Sequence, residues 1–136
     1  MFDHIGIFVT DPEKSIAFFE ACLAPLNIRI GERQPQWGSV IFVGQAEFPF
    51  LWVGPARENY YGTNLQSSGY RPIHLSFIAP SVQAVDDFYR LGLEKGGRDN
   101  GAPGPRPYYH PNYYGAFVLD PDGHNIEAVF YDYDEK

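Results

Sequence analysis

The chain has 136 residues, of which 44% are hydrophobic, 17% aromatic and 20% charged. That suffices for one compact domain with a core and excludes a disordered chain. Seventeen acidic against ten basic side chains leave a net charge of -7 with no basic run, so a nucleic-acid or anionic-membrane partner would be repelled. The single cysteine, Cys22, excludes an internal disulfide and suits a reducing compartment. No apolar run approaches the ~20 residues of a membrane helix. Met1 opens straight into a strand-like pattern rather than a leader peptide. The expectation is a soluble cytoplasmic protein.

Residues 2–9 alternate as a strand, with Phe2, His4, Gly6 and Phe8 on one face and Asp3, Ile5, Ile7 and Val9 on the other. Thr10-Asp11-Pro12 reads as a helix start. Thr10 or Asp11 caps it, Pro12 suits its first turn, and Glu13 favours the positive end of the dipole. Ile16, Phe19 and Leu23 make the apolar face, and Pro25 should stop the helix. Strand-like runs follow at 27–32, 38–43 and 48–53. From 54 to 70 the pattern lapses into a connection. Residues 72–78 are strand-like again. Pro80-Ser81 starts a second helix, with Val85, Phe88, Tyr89 and Leu93 at its apolar positions, and Gly96-Gly97 ends it. A polar, Pro-rich loop is expected over 100–111. Runs at 114–119 and 125–131 form a closing hairpin about Asp120-Pro121-Asp122-Gly123, with His124 expected to be exposed.

The order strand, helix, three strands occurs twice. At an offset of seventy, His4 meets His74, Ile7 meets Phe77, Phe18 meets Phe88 and Leu23 meets Leu93. Neither half is large enough to fold well alone, so the two sheets should join around a shared cavity. Residues 1–136 then form one α+β domain: module one over 1–54, a connection over 55–70 and module two over 71–136.

His4 and His74 sit at equivalent points of the two opening strands. In the last strand Ile126, Ala128 and Phe130 make the helix-facing row, which turns Glu127 the other way, towards the cavity. Two imidazoles and a carboxylate from three strands would suit a divalent transition metal with vacant positions. Imidazole nitrogens donate lone pairs, the carboxylate adds charge, and the vacant positions admit and polarise a substrate oxygen. The competing reading makes each residue structural: satisfied core histidines, and Glu127 paired with an arginine such as Arg71.

The segments Asp3-His4-Ile5-Gly6, His74-Leu75-Ser76-Phe77 and Leu119-Asp120-Pro121-Asp122-Gly123-His124-Asn125-Ile126-Glu127 resemble the vicinal oxygen chelate superfamily. It includes glyoxalase I, extradiol dioxygenases, fosfomycin-resistance thiol transferases and bleomycin-resistance proteins. The resemblance covers nearly the whole chain. It implies two βαβββ modules forming a cupped, eight-stranded mixed sheet of the glyoxalase-like class around a divalent ion (Fe, Mn, Zn or Ni). It makes His4, His74 and Glu127 the ligands. Glyoxalase I uses a fourth, carboxylate ligand from the last strand of the first module. Here the corresponding place falls near Leu51, and residues 48–53 hold no carboxylate. Three ligands with open positions agree better with the dioxygenase and thiol-transferase branches.

The segment Arg106-Pro107-Tyr108-Tyr109-His110-Pro111-Asn112-Tyr113-Tyr114 reads either as a lid over the cavity, with His110 or a tyrosine as general acid or base and Tyr108, Tyr109 and His110 as candidates for proton transfer and substrate contact, or as a rigid cover of the sheet edge. Trp37 and Trp52 are candidates for the pocket wall opposite the metal, and Cys22 for an inert packed thiol. Two functions follow. One is a metal-dependent lyase, isomerase, dioxygenase or thiol transferase acting on a small oxygen-chelating molecule. The other is a metal-free binding or sequestration protein of the bleomycin-resistance type. The resemblance also permits a homodimer that exchanges modules and shares its site between chains.

Overall fold

Asp11, rather than Thr10, caps the first helix: its carboxylate accepts the Lys14 N–H at 3.2 Å, with Pro12 in the first turn. Thr10 is left to donate from its hydroxyl to Asp122 Oδ1 at 2.6 Å, a bond joining the end of the first strand to a turn 112 residues later. Ser81 caps the second helix by accepting the Ala84 N–H at 3.1 Å. The computed structural model describes residues 1–55 and 72–132. In chain order these give β1 (His4–Val9), α1 (Pro12–Leu23), β2 (Arg29–Gln34), β3 (Ser39–Val43) and β4 (Phe50–Pro55). Then come β5 (His74–Ile78), α2 (Val82–Glu94), β6 (Arg98–Pro105), β7 (Tyr113–Leu119) and β8 (Asn125–Tyr131). The two βαβββ modules are present. Most of the expected connection lies outside the described residues.

The eight strands fall into two separately hydrogen-bonded sheets of four, ordered β1-β4-β3-β2 and β5-β8-β7-β6. In each, the opening strand pairs in parallel with the last strand of its module, and the other pairs are antiparallel. The registers match: His4 lies opposite Phe50, and His74 opposite Asn125. Two residues on, Gly6 faces Trp52 where Ser76 faces Glu127. Trp52, and not Leu51, is therefore the counterpart of Glu127.

Two expectations about loops change. Gly54 and Pro55 still belong to β4, and the expected loop over 100–111 begins as strand β6. Pro103 and Pro105 cannot donate to a ladder, but among the described residues β6 lies at the edge of its sheet with only β7 as a neighbour, where a missing donor is tolerated.

One apolar core draws on both modules, from Ile7, Val9, Phe18 and Phe19 through Val85, Phe88, Val118, Ile126 and Ala128. Phe18, Phe19 and Phe88 are wholly buried, each contributing about 1.5–3 kcal/mol of burial energy. The modules meet through their helices. At Gly97, a Cβ would fall 2.6 Å from the Phe18 ring and 2.5 Å from Val118, so a side chain there would push the modules apart. Gly96 just before it takes a φ of +94° as the chain leaves α2. Cys22 is buried, and burial pushes its thiol pKa far up, which agrees with an inert packed residue.

Because Ile7, Val9, Ile126 and Ala128 lie in the core, alternation turns His4, Gly6 and Glu127 to the other face of each sheet. A cavity of about 250 Å³ does lie between the modules, but Ile5, Phe42, Leu51, Leu75 and Phe77 of the core-facing rows line much of it. It is a mostly apolar gap, to which Phe2, Phe50 and Ser76 also contribute, and His4, His74 and Glu127 are not among its lining residues. Neither Trp37 nor Trp52 lines it. Among the described residues, no helix is long and apolar enough to cross a membrane.

Candidate metal centre

His74 opens β5 and Glu127 sits mid-strand in β8, the strand beside it. The register brings the imidazole Nε2 to 3.1 Å from Glu127 Oε2. The other ring nitrogen, Nδ1, lies 3.0 Å from the Asn125 carbonyl oxygen. A carbonyl only accepts, so Nδ1 carries a proton and Nε2 is left facing the carboxylate. Two lone pairs at that distance repel unless a proton or a cation lies between them. A metal-bound histidine commonly has its second nitrogen tied in this way. Two cis donors at about 2.1 Å from one ion also lie about 3 Å apart. His74 and Glu127 therefore fit a divalent cation; they fit an ordinary ion pair equally well.

Glu127 is buried at 2% exposure, whereas the His74 side chain is 50% exposed. Burial pushes the Glu127 carboxyl above the usual carboxylate range, opposed by a Ser76 hydrogen bond, by His74 and by Arg106. Glu127 Oε1 accepts the Tyr113 hydroxyl. Gly115 makes that contact possible, since a Cβ there would fall 2.9 Å from the Tyr113 ring and 3.4 Å from Glu127 Oε1. The carboxylate is thus held on one oxygen, leaving the other beside His74. The Phe117 ring lies 6.2 Å from that of His74, and the Arg106 guanidinium 5.8 Å over Phe117.

His4 is not part of this group. Its Nδ1 lies 2.5 Å from Asp3 Oδ1, and its ring stacks on Phe50 with centroids 4.7 Å apart. Among the described residues no three His, Cys, Asp or Glu side chains gather as a metal-holding group. The chain thus places a His74–Glu127 pair in module two and a separate, half-exposed histidine in module one. Arg71, the alternative partner of Glu127, lies outside the described residues.

Tyr108, Tyr109 and His110 lie in the loop from β6 to β7. The Arg106 N–H donates to the Tyr113 carbonyl at 2.9 Å, and the Tyr109 N–H to the Arg106 carbonyl at 2.9 Å, so backbone bonds close the loop. The Tyr109 ring lies 5.2 Å from that of Tyr113, the partner of Glu127. Tyr108 and Tyr109 remain exposed, 74% and 59%. His110 packs edge-on against Tyr131, and its Nδ1 accepts the Asn112 N–H at 3.2 Å. His124 is a correction: it is buried, its Nδ1 accepts the Ile73 N–H at 3.0 Å, and its own N–H donates to Asp120 Oδ1 at 2.7 Å. The residue after a tight turn was expected in water, but this side chain folds back to pin the start of β5.

Tyr113 and Arg106 fall in the segment read as a lid, and Ser76 in the second strand motif, but their contact with Glu127 was not read from the sequence. Strand alternation held the signal for Tyr113 and Ser76. Ser76 shares the His74 row, and Tyr113, Gly115 and Phe117 share the row of Glu127.

The model of the Glyoxalase/Bleomycin resistance protein/Dioxygenase superfamily matches residues 1–128. Among solved structures, a glyoxalase/bleomycin resistance protein from Albidiferax ferrireducens T118 superposes with a TM-score of 0.71 at 26% identity, over 96% of this chain and 98% of that one. A family enzyme from Burkholderia phytofirmans PsJN gives 0.72 at 20% identity, over 95% and 97%. Lactoylglutathione lyase from Agrobacterium tumefaciens gives 0.65 at 14% identity, over 96% and 92%. The comparison with curated proteins gives no match.

Proposed function

Since the chain belongs to the glyoxalase/bleomycin resistance protein/dioxygenase superfamily, we propose that it is a divalent-metal-dependent enzyme acting on a small molecule with two adjacent oxygen atoms. The observation that carries this reading is the His74–Glu127 pair, with Nδ1 anchored and Nε2 turned to one oxygen of a carboxylate that Tyr113 holds by the other. His74 and Glu127 are two ligands. The third is His4 of a second copy of this chain. His4 is half-exposed, as is the His74 side chain, and apolar Phe2, Phe48 and Ile78 are exposed with them at 66%, 57% and 78%. Apolar exposure of this kind favours a covered face. The site is then complete only in a homodimer, with module one of each copy facing module two of the other.

When bound, the ion supplies Lewis acidity to the substrate's oxygens. The chain's own groups do the rest. Tyr113 and Ser76 hold Glu127, and the Asn125 carbonyl holds the His74 ring. Tyr109 packs on Tyr113 beside the site. We assign Tyr108, Tyr109 and His110 to substrate contact and proton transfer. Trp52 stands where a fourth, carboxylate ligand would come from module one, which leaves a three-ligand centre with positions open to substrate.

The test is metal analysis of protein purified without a His tag. About one divalent ion per chain is expected, lost on Glu127→Gln. A protein that takes up no ion after incubation with Fe(II), Mn(II), Zn(II) or Ni(II) overturns the proposal and leaves an ordinary ion pair. Oxygen uptake with catechols then separates dioxygenase from lyase or isomerase chemistry.

A further inference from the structure

The run Gly101-Ala102-Pro103-Gly104-Pro105 of β6 is not a regular ladder. Its register to β7 shifts twice, between Asp99 and Gly101 and between Gly101 and Gly104. The residue that follows gives this irregularity a use. Pro105 lies opposite Tyr114, which packs against the core, so Arg106 takes the other face, that of Tyr113 and Glu127. Its side chain turns back along its own strand. Nη1 donates to the Gly104 carbonyl at 2.9 Å and to the Pro105 carbonyl at 3.3 Å, and Nη2 to the Ala102 carbonyl at 2.7 Å. Gly101 and Gly104 make the bed for it: a Cβ would fall 3.5 Å from Nη2 at the first and 3.2 Å from Nη1 at the second.

Three carbonyls fix the guanidinium without cancelling its charge. The group stays protonated and has five N–H donors. Among the described residues Nε–H and the second hydrogen of Nη2 are unused, and no carboxylate forms an ion pair with Arg106. Its charge nevertheless reaches the metal face, where it favours the ionised form of Glu127. The Phe117 ring lies between the two groups, 5.8 Å from the guanidinium and 6.2 Å from the His74 ring, and Phe117 is the cross-strand partner of Glu127. We infer that Arg106 binds a carboxylate, so that the ligand of this protein is a small carboxylic acid lying over Phe117. The two N–H groups left over make a planar fork that matches both oxygens of a carboxylate. A fork already held by the strand loses little freedom on binding. One end of such a ligand meets Arg106, and the other meets His74 and Glu127. That second contact rests on the metal proposal; carboxylate binding by Arg106 does not.

In the 15N-labelled, metal-free full chain, the Nε–H signal of Arg106 is identified by its through-space contacts with the Phe117 ring and followed while propanoate is added. A saturable shift at millimolar concentrations is expected, with none for propanamide. Arg106→Lys keeps the charge and loses the fork, so it should bind propanoate about three- to tenfold more weakly, read from the backbone signals around Phe117. An arginine that only tied β6 together would change the melting temperature and leave that affinity alone. No shift, an equal response to propanamide, tighter binding of inorganic phosphate than of propanoate, or undiminished binding to Arg106→Lys each overturns the carboxylate site. A second arm adds Zn(II). Succinic and glutaric monohydroxamate carry a chelating group and a carboxylate, whereas butanehydroxamate and pentanehydroxamate carry the chelating group alone. At least one acid should bind about tenfold tighter than its uncharged counterpart, an advantage lost in Arg106→Gln. No advantage for either acid overturns the placing of the ligand over Phe117. If Zn(II) tightens none of these hydroxamates while propanoate still moves the Arg106 signal, the metal proposal falls and the carboxylate site stands. If Zn(II) tightens all of them equally and propanoate moves nothing, the reverse holds.

Discussion

The two modules share one backbone plan, and their faces away from the core do different chemistry. In module two the face carries His74, Ser76, Glu127 and Tyr113, a buried carboxylate bonded on several sides. In module one the same positions carry His4, Gly6 and Trp52, with Phe50 stacked on the histidine and Phe8 against the indole. The histidine is kept and the carboxylate is exchanged for an aromatic plane. A duplicated sheet thus supplies two unlike halves, one polar and one aromatic. The connecting loops differ too. Matched residues Glu32 and Gly101 are 69 apart, whereas Ile41 and Phe117 are 76 apart. Seven more residues lie between Gly101 and Phe117 than between Glu32 and Ile41, and Tyr108, Tyr109 and His110 fall in that longer stretch.

The largest expected effect comes from breaking the polar half. His74→Ala should lower metal affinity by at least about 100-fold, measured by competition with a chromogenic chelator. Retained affinity would place the ion elsewhere. Next comes His4→Ala, for which we expect a loss of about 10–100-fold in the same assay. No loss would mean that module one contributes its aromatics alone. Tyr113→Phe frees one carboxylate oxygen and leaves the core untouched. It should weaken metal binding about tenfold with an unchanged melting temperature, and a change in melting alone would make Tyr113 merely structural.

The smallest effect concerns Asp120, next to β8. Its Oδ1 accepts the Asp122 and His124 N–H groups, while Oδ2 is buried without a hydrogen bond. Burial raises its pKa above the ordinary carboxylate value. The fold therefore favours the protonated form. That contribution is complete below the ordinary value of about 4 and is lost as pH rises through the raised folded value. In metal-free protein, Asp120→Asn should flatten this fall, by ~3 °C in melting temperature near neutral pH. A steeper pH dependence in the variant would refute the assignment.

Much of this was legible in the sequence. Caps, helical spacing and strand alternation are local, and they marked Asp11, Ser81, both helices and most strands. The histidine repeat exposed the duplication, and alternation turned Glu127 away from the core. What stayed hidden depends on neighbours in space. The edge strand β6 looks like a loop because its prolines and glycines break the propensity pattern, and its position at the edge excuses them. The counterpart of Glu127 was legible only as a place near Leu51, because strand pairing, and not spacing along the chain, fixes it at Trp52, one residue on. That His4 and His74 do not meet within one chain depends on how two sheets pack across shared helices, which periodicity along the chain cannot reveal.

The central claim is that one metal centre takes His4 from one copy and His74 with Glu127 from another. His4→Ala and His74→Ala proteins should each bind no metal tightly. When they are unfolded together, refolded as an equal mixture and assayed for bound metal, half the dimers are mixed, and each carries one intact site. Recovery of about a quarter of the wild-type metal is the predicted result. A mixture as empty as its two components would contradict the account.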